Sequence, residues 1–430
     1  MQFKSLFAVA AVTGLAVANN STLTTATPSV ASSCSFDDFT ATENGQVRSV
    51  QACATAVGDV FISGSDIDQI DLTGVQEFYG DLKINGTKAT VFNAPDLQLV
   101  SGELSLAQST ILATANLAQL TTVGTLHFDS LPALEKTGLA SGITSAESIT
   151  IANTGLHSLD GINVFRLKVF DVNNNGDIES IDSALQAVTD TLSINYNADK
   201  VEVSLDQLKS ANNVVFEKIS SLSTANLTTV NGSLSISKNT FESFEFKQLE
   251  SIGKSLSITE NDDLEEFDFP KLKSIGGALN IIDNENLKSF SYFDKLETIG
   301  GSVNIDGDFD NGTFPELNRV AGGFNLSTTG DLSCDSFTKL NSKGNVKGDK
   351  FYCRGASSTV SSSSSKSGNS NGQSTSSGSG SSGSGSGSGS DSSNGSSSSG
   401  NSAPGVTVST SLVSLVTFVL AFTGVGVALY

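Results

Sequence analysis

The sequence predicts a mainly β protein: a single elongated, right-handed parallel β-solenoid of about 13 coils, followed by a disordered stalk. Three observations predict it. The unit L-x-x-I-x-x-x-L-x-I-x-x-N-x-x-L-x-x-F recurs in residues 249–272 and 272–293, and in 296–317 with Val303, Asp308 and Asn311 replacing three of its letters. An apolar-x-apolar step can be followed from Val60 to Phe324 in twelve steps that average 22 residues. The quoted units contain no i, i+3, i+4, i+7 run of helical length.

Element by element, the chain starts with Lys4 and an apolar run from Leu6 to Val17 that closes in Ala16-Val17-Ala18. A positive start, a short hydrophobic segment and small residues before the cut are the marks of a secretory signal peptide. Residues 1–18 are assigned to it, which leaves Asn19 as the new N-terminus. Residues 19–355 form the solenoid.

Its coils are anchored by Val60/Ile62, Leu82/Ile84, Leu104/Leu106, Leu126/Phe128, Ile149/Ile151, Phe170/Val172 and Leu192/Ile194. They continue with Val214/Phe216, Leu234/Ile236, Leu256/Ile258, Leu279/Ile281, Val303/Ile305 and Phe324/Leu326. We number the coils 1 to 13 in that order. Such a period lies in the leucine-rich-repeat range, where one unit cannot bury its apolar side alone and must stack on the next. Alternate residues of each step point inward, so successive steps build one parallel sheet roughly 60 Å long at about 4.8 Å per strand.

Five coils carry Asn five residues after the first anchor: Asn175, Asn197, Asn239, Asn261 and Asn284. Backbone groups at a solenoid corner lack regular partners, and an amide that both donates and accepts can serve them. An internal Asn ladder is therefore expected. Phe244, Phe267, Phe290 and Phe314 recur at the repeat spacing and are expected in the core.

The four Cys lie outside the coils. Terminal coils expose a raw core face and need caps, and a secreted chain with paired Cys is expected to form disulfides. Cys34–Cys53 and Cys334–Cys353 are the expected bridges, each worth roughly 3 kcal/mol from loop entropy. Sequons occur at Asn19, Asn20, Asn85, Asn226, Asn231, Asn311, Asn325 and Asn394. In a secreted chain Asn85, Asn226, Asn231, Asn311 and Asn325 are expected to carry glycans.

Residues 356–401 are almost wholly Ser, Gly, Thr and Asn. That composition buries too little apolar area to offset ordering entropy, so a disordered, O-glycosylated stalk is expected. Residues 402–430 end in the apolar run from Leu412 to Tyr430 behind a small-residue triplet at Asn401-Ser402-Ala403 and a polar spacer. This order is the signal for a glycosylphosphatidylinositol (GPI) anchor at Asn401, with Gly400 and Asn394 as rival attachment sites. A membrane partner through that lipid follows.

The charge balance, 45 acidic against 24 basic residues and a net −21, excludes a nucleic-acid binder. The Asp171–Asp182 segment resembles a calcium loop, but Phe170 and Val172 are inward anchors and Asn175 a ladder position, so no metal or other cofactor is expected. A glycosidase needs two converging carboxylates. The outward central positions are instead mostly Ser, Thr or Asn, with Asp171 the single carboxylate, and His127 lacks a nucleophile beside it. No catalytic residue is assigned, and no enzyme activity is expected.

The I-G-x-x-L-x-I steps at Ile252–Ile258 and Ile275–Ile281, taken with the leader, Cys caps, stalk and tail, resemble the fungal GPI-anchored cell-wall-organisation and sporulation proteins. The solenoid is similar to the L-domains of insulin- and epidermal-growth-factor-type receptors. Coils between residues 60 and 216 depart from the I-G step. The resemblance implies a monomeric protein of the outer plasma-membrane leaflet or cell wall that supports wall integrity. It implies a scaffold or binding surface for wall polysaccharide or mannoprotein, with an adhesive or receptor-like module as the alternative and a glycan-remodelling enzyme behind both.

Overall fold

In the computed structural model, residues 26–356 and 359–363 are described. The expected signal peptide, the attachment site at Asn401, the removed tail and the sequons at Asn19, Asn20 and Asn394 lie outside them, as does the stalk beyond residue 363.

The described residues form a parallel β-solenoid of about 13 turns. All thirteen aliphatic pairs stack in register. Val60 lies beside Leu82, Leu82 beside Leu104, and the alignment continues step by step to Val303 beside Phe324. The reason is the period-2 alternation of a strand: a slip of one residue would turn every anchor to solvent. The ladder extends one strand further at each end than the anchors predicted. Phe39–Ala41 pairs with coil 1, and Lys350–Arg354 pairs with coil 13.

Each coil has two further sides. A short stretch ahead of the anchors stacks on its neighbours, as in Thr229–Val230 on Ser251–Ile252. In coils 3 to 8 it merges with the anchor strand into one strand of 8–10 residues, for example Thr122–Leu131 and Ser145–Thr154. The back of the solenoid carries interrupted ladders such as Ser180–Asp182, Glu202–Ser204 and Ser221–Ser223. One continuous apolar core runs between these sides. The Phe positions occupy it as expected: Phe244 stacks on Phe267, and a second file, Phe246, Phe269 and Phe293, stacks nearly parallel at centroid spacings of 5.3 and 5.4 Å.

The Asn ladder is present and internal. Asn175 Nδ2 donates to Asn197 Oδ1 (3.0 Å), Asn239 Nδ2 to Asn261 Oδ1 (2.9 Å) and Asn261 Nδ2 to Asn284 Oδ1 (3.0 Å). Each amide also ties a backbone carbonyl of an earlier coil, as Asn197 does at Val172 O. Coil 8 interrupts the file with Ile219, whose N–H still donates to Asn239 Oδ1. The early coils fill the same corner with hydroxyls: Thr87 and Ser109 bond each other, and Thr154 Oγ1 donates to Asn175 Oδ1.

Both ends are stapled as expected, by Cys34–Cys53 and Cys334–Cys353. The caps are short helices. Helix α1 (Asn44–Gln51) buries Val47 and Val50, and a Glu43/Gln46 capping box holds its start. Helix α2 (Asp335–Ser342) puts Phe337 against Phe290, Phe314 and Phe324. Thr359–Ser363 pairs antiparallel with Lys350–Arg354, inside the segment expected as the start of the stalk. The last parallel strand leaves a row of unpaired N–H and C=O groups, and a Ser-rich strand can cover them through its backbone alone.

Candidate functional site

The open face of the long sheet collects outward side chains from every coil. Three columns of residues run along it, one before the first anchor, one between the anchors and one after the second. Its two halves differ in charge. Over coils 1 to 3 stand Asp59, Asp81 and Glu103, with Lys83 bridging the last two at 2.9 Å each. Those two carboxylates, Glu103 foremost, hold the Lys83 ammonium well above its usual range. Asp59 and Asp81 each also accept the backbone N–H of the next acidic residue (both 2.8 Å).

Over coils 7 to 13 the columns hold mainly hydroxyl and amide side chains. The central column reads Ser193, Val215, Ser235, Ser257, Asn280, Asn304 and Asn325. Asn304 Nδ2 donates to Asn280 Oδ1 (2.8 Å), so amides interact from coil to coil here as well. The carboxylates of the middle coils are separately engaged. Asp129 accepts from Asn153, Asp171 from Asn173, and Glu217 from both Tyr196 Oη (2.9 Å) and Lys238 Nζ (3.0 Å). Hydrogen bonding to Glu217 raises the Tyr196 phenol above its usual range, so the hydroxyl stays a donor. His127 is half-buried between Ser105 and Thr150.

The calcium resemblance dissolves in this geometry. Asn175, which the loop would need as a ligand, is fully buried and spends its amide in the ladder. A depression of about 320 Å³ at the rim of coils 11 to 13 is lined by Asp283, Glu285, Asp306 and Asp308, among others. Lys288 pairs with Asp308 and holds its carboxyl below the usual range.

The five sequons within the described residues are distributed over several sides. Asn226, Asn231, Asn311 and Asn325 are exposed, with Asn325 on the open face at coil 13. Asn226 Nδ2 donates to Asp206 O (2.6 Å). Asn85 is half-buried on the same face at coil 2, and its Oδ1 has no hydrogen-bond partner. Sequence reasoning named the central outward column, of which Ser105 is buried, but missed the engagement of Glu217, because Tyr196 and Lys238 lie in the flanking coils at positions without a repeat signature.

Fold and face together define a class: a disulfide-capped parallel β-solenoid that presents an open polar sheet. No family model and no solved structure matches the chain. Curated relatives do. The cell surface GPI-anchored protein ECM33 of Candida albicans is 38% identical over 333 residues, covering 76% of this chain and 80% of its own. The cell wall mannoprotein PST1 of Saccharomyces cerevisiae is 35% identical, covering 71% and 69% respectively. The cell wall protein ecm33 of Schizosaccharomyces pombe is 31% identical, covering 77% and 79%. The chain belongs to this family of fungal GPI-anchored cell-surface and cell-wall proteins. Its place is the cell surface and wall.

Proposed function

We propose that the protein is a non-enzymatic scaffold of the cell wall, whose open sheet face binds wall components while the stalk and a GPI lipid tether it. The observation that carries this is the neutral hydroxyl and amide surface of coils 7 to 13. Such side chains donate and accept hydrogen bonds with uncharged polymers at each rung. The absence of catalysis is supported by the state of the carboxylates: Asp129, Asp171 and Glu217 each bond a different neighbour, and no two of them share a partner. An adhesive module would be expected to expose a contiguous apolar patch. Among the described residues the large exposed apolar side chains, Phe61, Val91, Ile111, Phe165 and Tyr196, occur in five different coils.

The full-length chain is expected to bind one or more of fractionated glucan, chitin and mannoprotein without hydrolysing any. Cells lacking it should become sensitive to wall-perturbing dyes. Hydrolysis of a bound polymer, or binding to none of the fractions, overturns the reading. Glycans on Asn85, Asn226 and Asn231, checked by intact-glycopeptide mass spectrometry, belong to the same proposal.

A further inference from the structure

Every coil from 1 to 11 turns its corner through one left-handed residue, placed just before the ladder position. In coils 1 and 2 this residue is Gly64 and Gly86, so glycine fits the corner. In coils 3 to 11 it is a residue with a side chain, at φ between 50 and 57°. Asn and Asp tolerate that region; Tyr196, Lys218, Lys238 and Glu260 do so at a cost that glycine would avoid. Side chains retained against that cost, all along one edge of the open face, indicate that what this edge displays matters.

Tyr196 is the aromatic member of the row, and it is 39% exposed. It is held in place rather than free. Its hydroxyl donates to Glu217, whose side chain is only 16% exposed and is gripped by Lys238. The Lys218 ammonium lies 5.3 Å from the ring centroid. Lys218 comes from coil 8 and exposed Asn174 from coil 6, so the exposed part of the ring lies between these two neighbours in the row. Asn195 stands beside it, donating to Ser193 Oγ (2.7 Å).

We propose that Tyr196, with Asn174, Asn195 and Glu217, is the anchoring subsite for a linear, uncharged glucan that runs along the open face of coils 7 to 12. This rests on the scaffold reading above. A preorganised, partly exposed ring offers apolar surface to a pyranose, and the flanking amides and carboxylate suit its hydroxyls. The occupant follows from charge and periodicity. A body of net −21 repels polyanions, while its acidic sides rather than this neutral strip would attract polycations. A row of like rungs offers repeated contacts to a linear repeating polymer, whereas a branched one would meet only a few. Among linear wall polymers a glucan presents hydroxyls alone, which matches the Ser and Asn column.

The test uses the full-length chain purified in detergent and measures its retention on insoluble linear β-linked glucan, with branched mannan and chitin in parallel. Tyr196→Gly deletes the ring and also relieves the left-handed corner, so its thermal midpoint should not fall. Its half-saturation on glucan is expected to weaken about tenfold, the loss of one anchoring aromatic. Gln108→Gly, the same change at coil 3, should leave retention unaltered. Wild-type retention by a Tyr196→Gly chain overturns the subsite and leaves the scaffold reading intact. Binding to mannan or chitin alone overturns the glucan assignment only. A wild-type chain that binds none of the three overturns both.

Discussion

Asn261 shows what one side chain does in this fold. Its Oδ1 accepts the N–H (3.0 Å) and Nδ2 (2.9 Å) of Asn239, and its own Nδ2 donates to Asn284 and to Ile236 O (both 3.0 Å). All of this is buried. Asn261→Ala strands polar groups in both neighbouring coils at once. At roughly 1–3 kcal/mol per unsatisfied group, partly relaxed, we expect a loss of about 3–4 kcal/mol in denaturant-midpoint measurements. The ladder could be read from sequence because one residue type recurs at one offset. Thr87, Ser109 and Thr154 could not, because hydroxyls satisfy the same corner without repeating a letter. The left-handed corners were equally hidden, since the usual glycine signal is absent from nine of them. Titration also belongs to single residues. Hydrogen bonds from Thr73 hold Asp71 below the usual 3.8, and those from Ser223 and Ala225 hold Asp206 there too. A depressed native value stabilises the fold above the unfolded value and loses that contribution as pH falls through the native one. Asp268 works in the opposite sense: burial, then Glu245, raise it, so the native state takes up its proton early. The thermal midpoint should therefore stay level from pH 7 to 5 and drop below about pH 4, with a shallower drop in Asp206→Asn, as followed by circular dichroism.

At the scale of elements, the I-G step has a steric cause. A Cβ added at Gly276 would overlap the carbonyl oxygen of Gly253, and one at Gly300 that of Gly276. Coils 10 to 12 thus approach each other closely at this edge, where Gly276 and Gly300 leave no room for a Cβ, whereas coil 13 carries Ala321 at the same position. Gly276→Ala is expected to cost at least 2–3 kcal/mol by overpacking, although Ala normally favours the folded state elsewhere. The caps were legible through their cysteines, yet not their helices. Helices α1 and α2 have 8 residues each and bury only two residues and one residue respectively. That is too short for helical periodicity to show. Replacing Cys334 and Cys353 together by Ser should remove about 3 kcal/mol and loosen the last coils first, which hydrogen exchange would register as lost protection around Phe324–Thr328. The strand Thr359–Ser363 escaped sequence reasoning for another reason. It pairs through its backbone, and only Val360 packs against the core.

For the whole molecule, the thirteen-coil frame was legible because a fixed period must align each anchor with the next. The face was legible only as a composition: its central column could be listed, but not which carboxylates beside it pair and which residues at the rim hold them. The same face bears on stability. Apart from Lys238–Glu217, the ion pairs among the described residues are surface pairs, such as Lys168–Glu147 with side chains 63% and 50% exposed, and each contributes on the order of 0–1 kcal/mol. The excess of 21 negative charges acts everywhere and repels itself across coils only about 4.8 Å apart. At about 10 mM salt the screening length is near 30 Å and spans several coils; at about 150 mM it is near 8 Å and spans fewer than two. Repulsion should therefore outweigh pairing, and adding salt over this range should raise the thermal midpoint by a few degrees. A midpoint that falls with salt would mean that the pairs dominate. Lys83 is the sharpest local case, because it stands between Asp81 and Glu103 with Asp59 in the next coil. Lys83→Met leaves that acidic file unneutralised, so its destabilisation should be largest at low salt and shrink as salt is added.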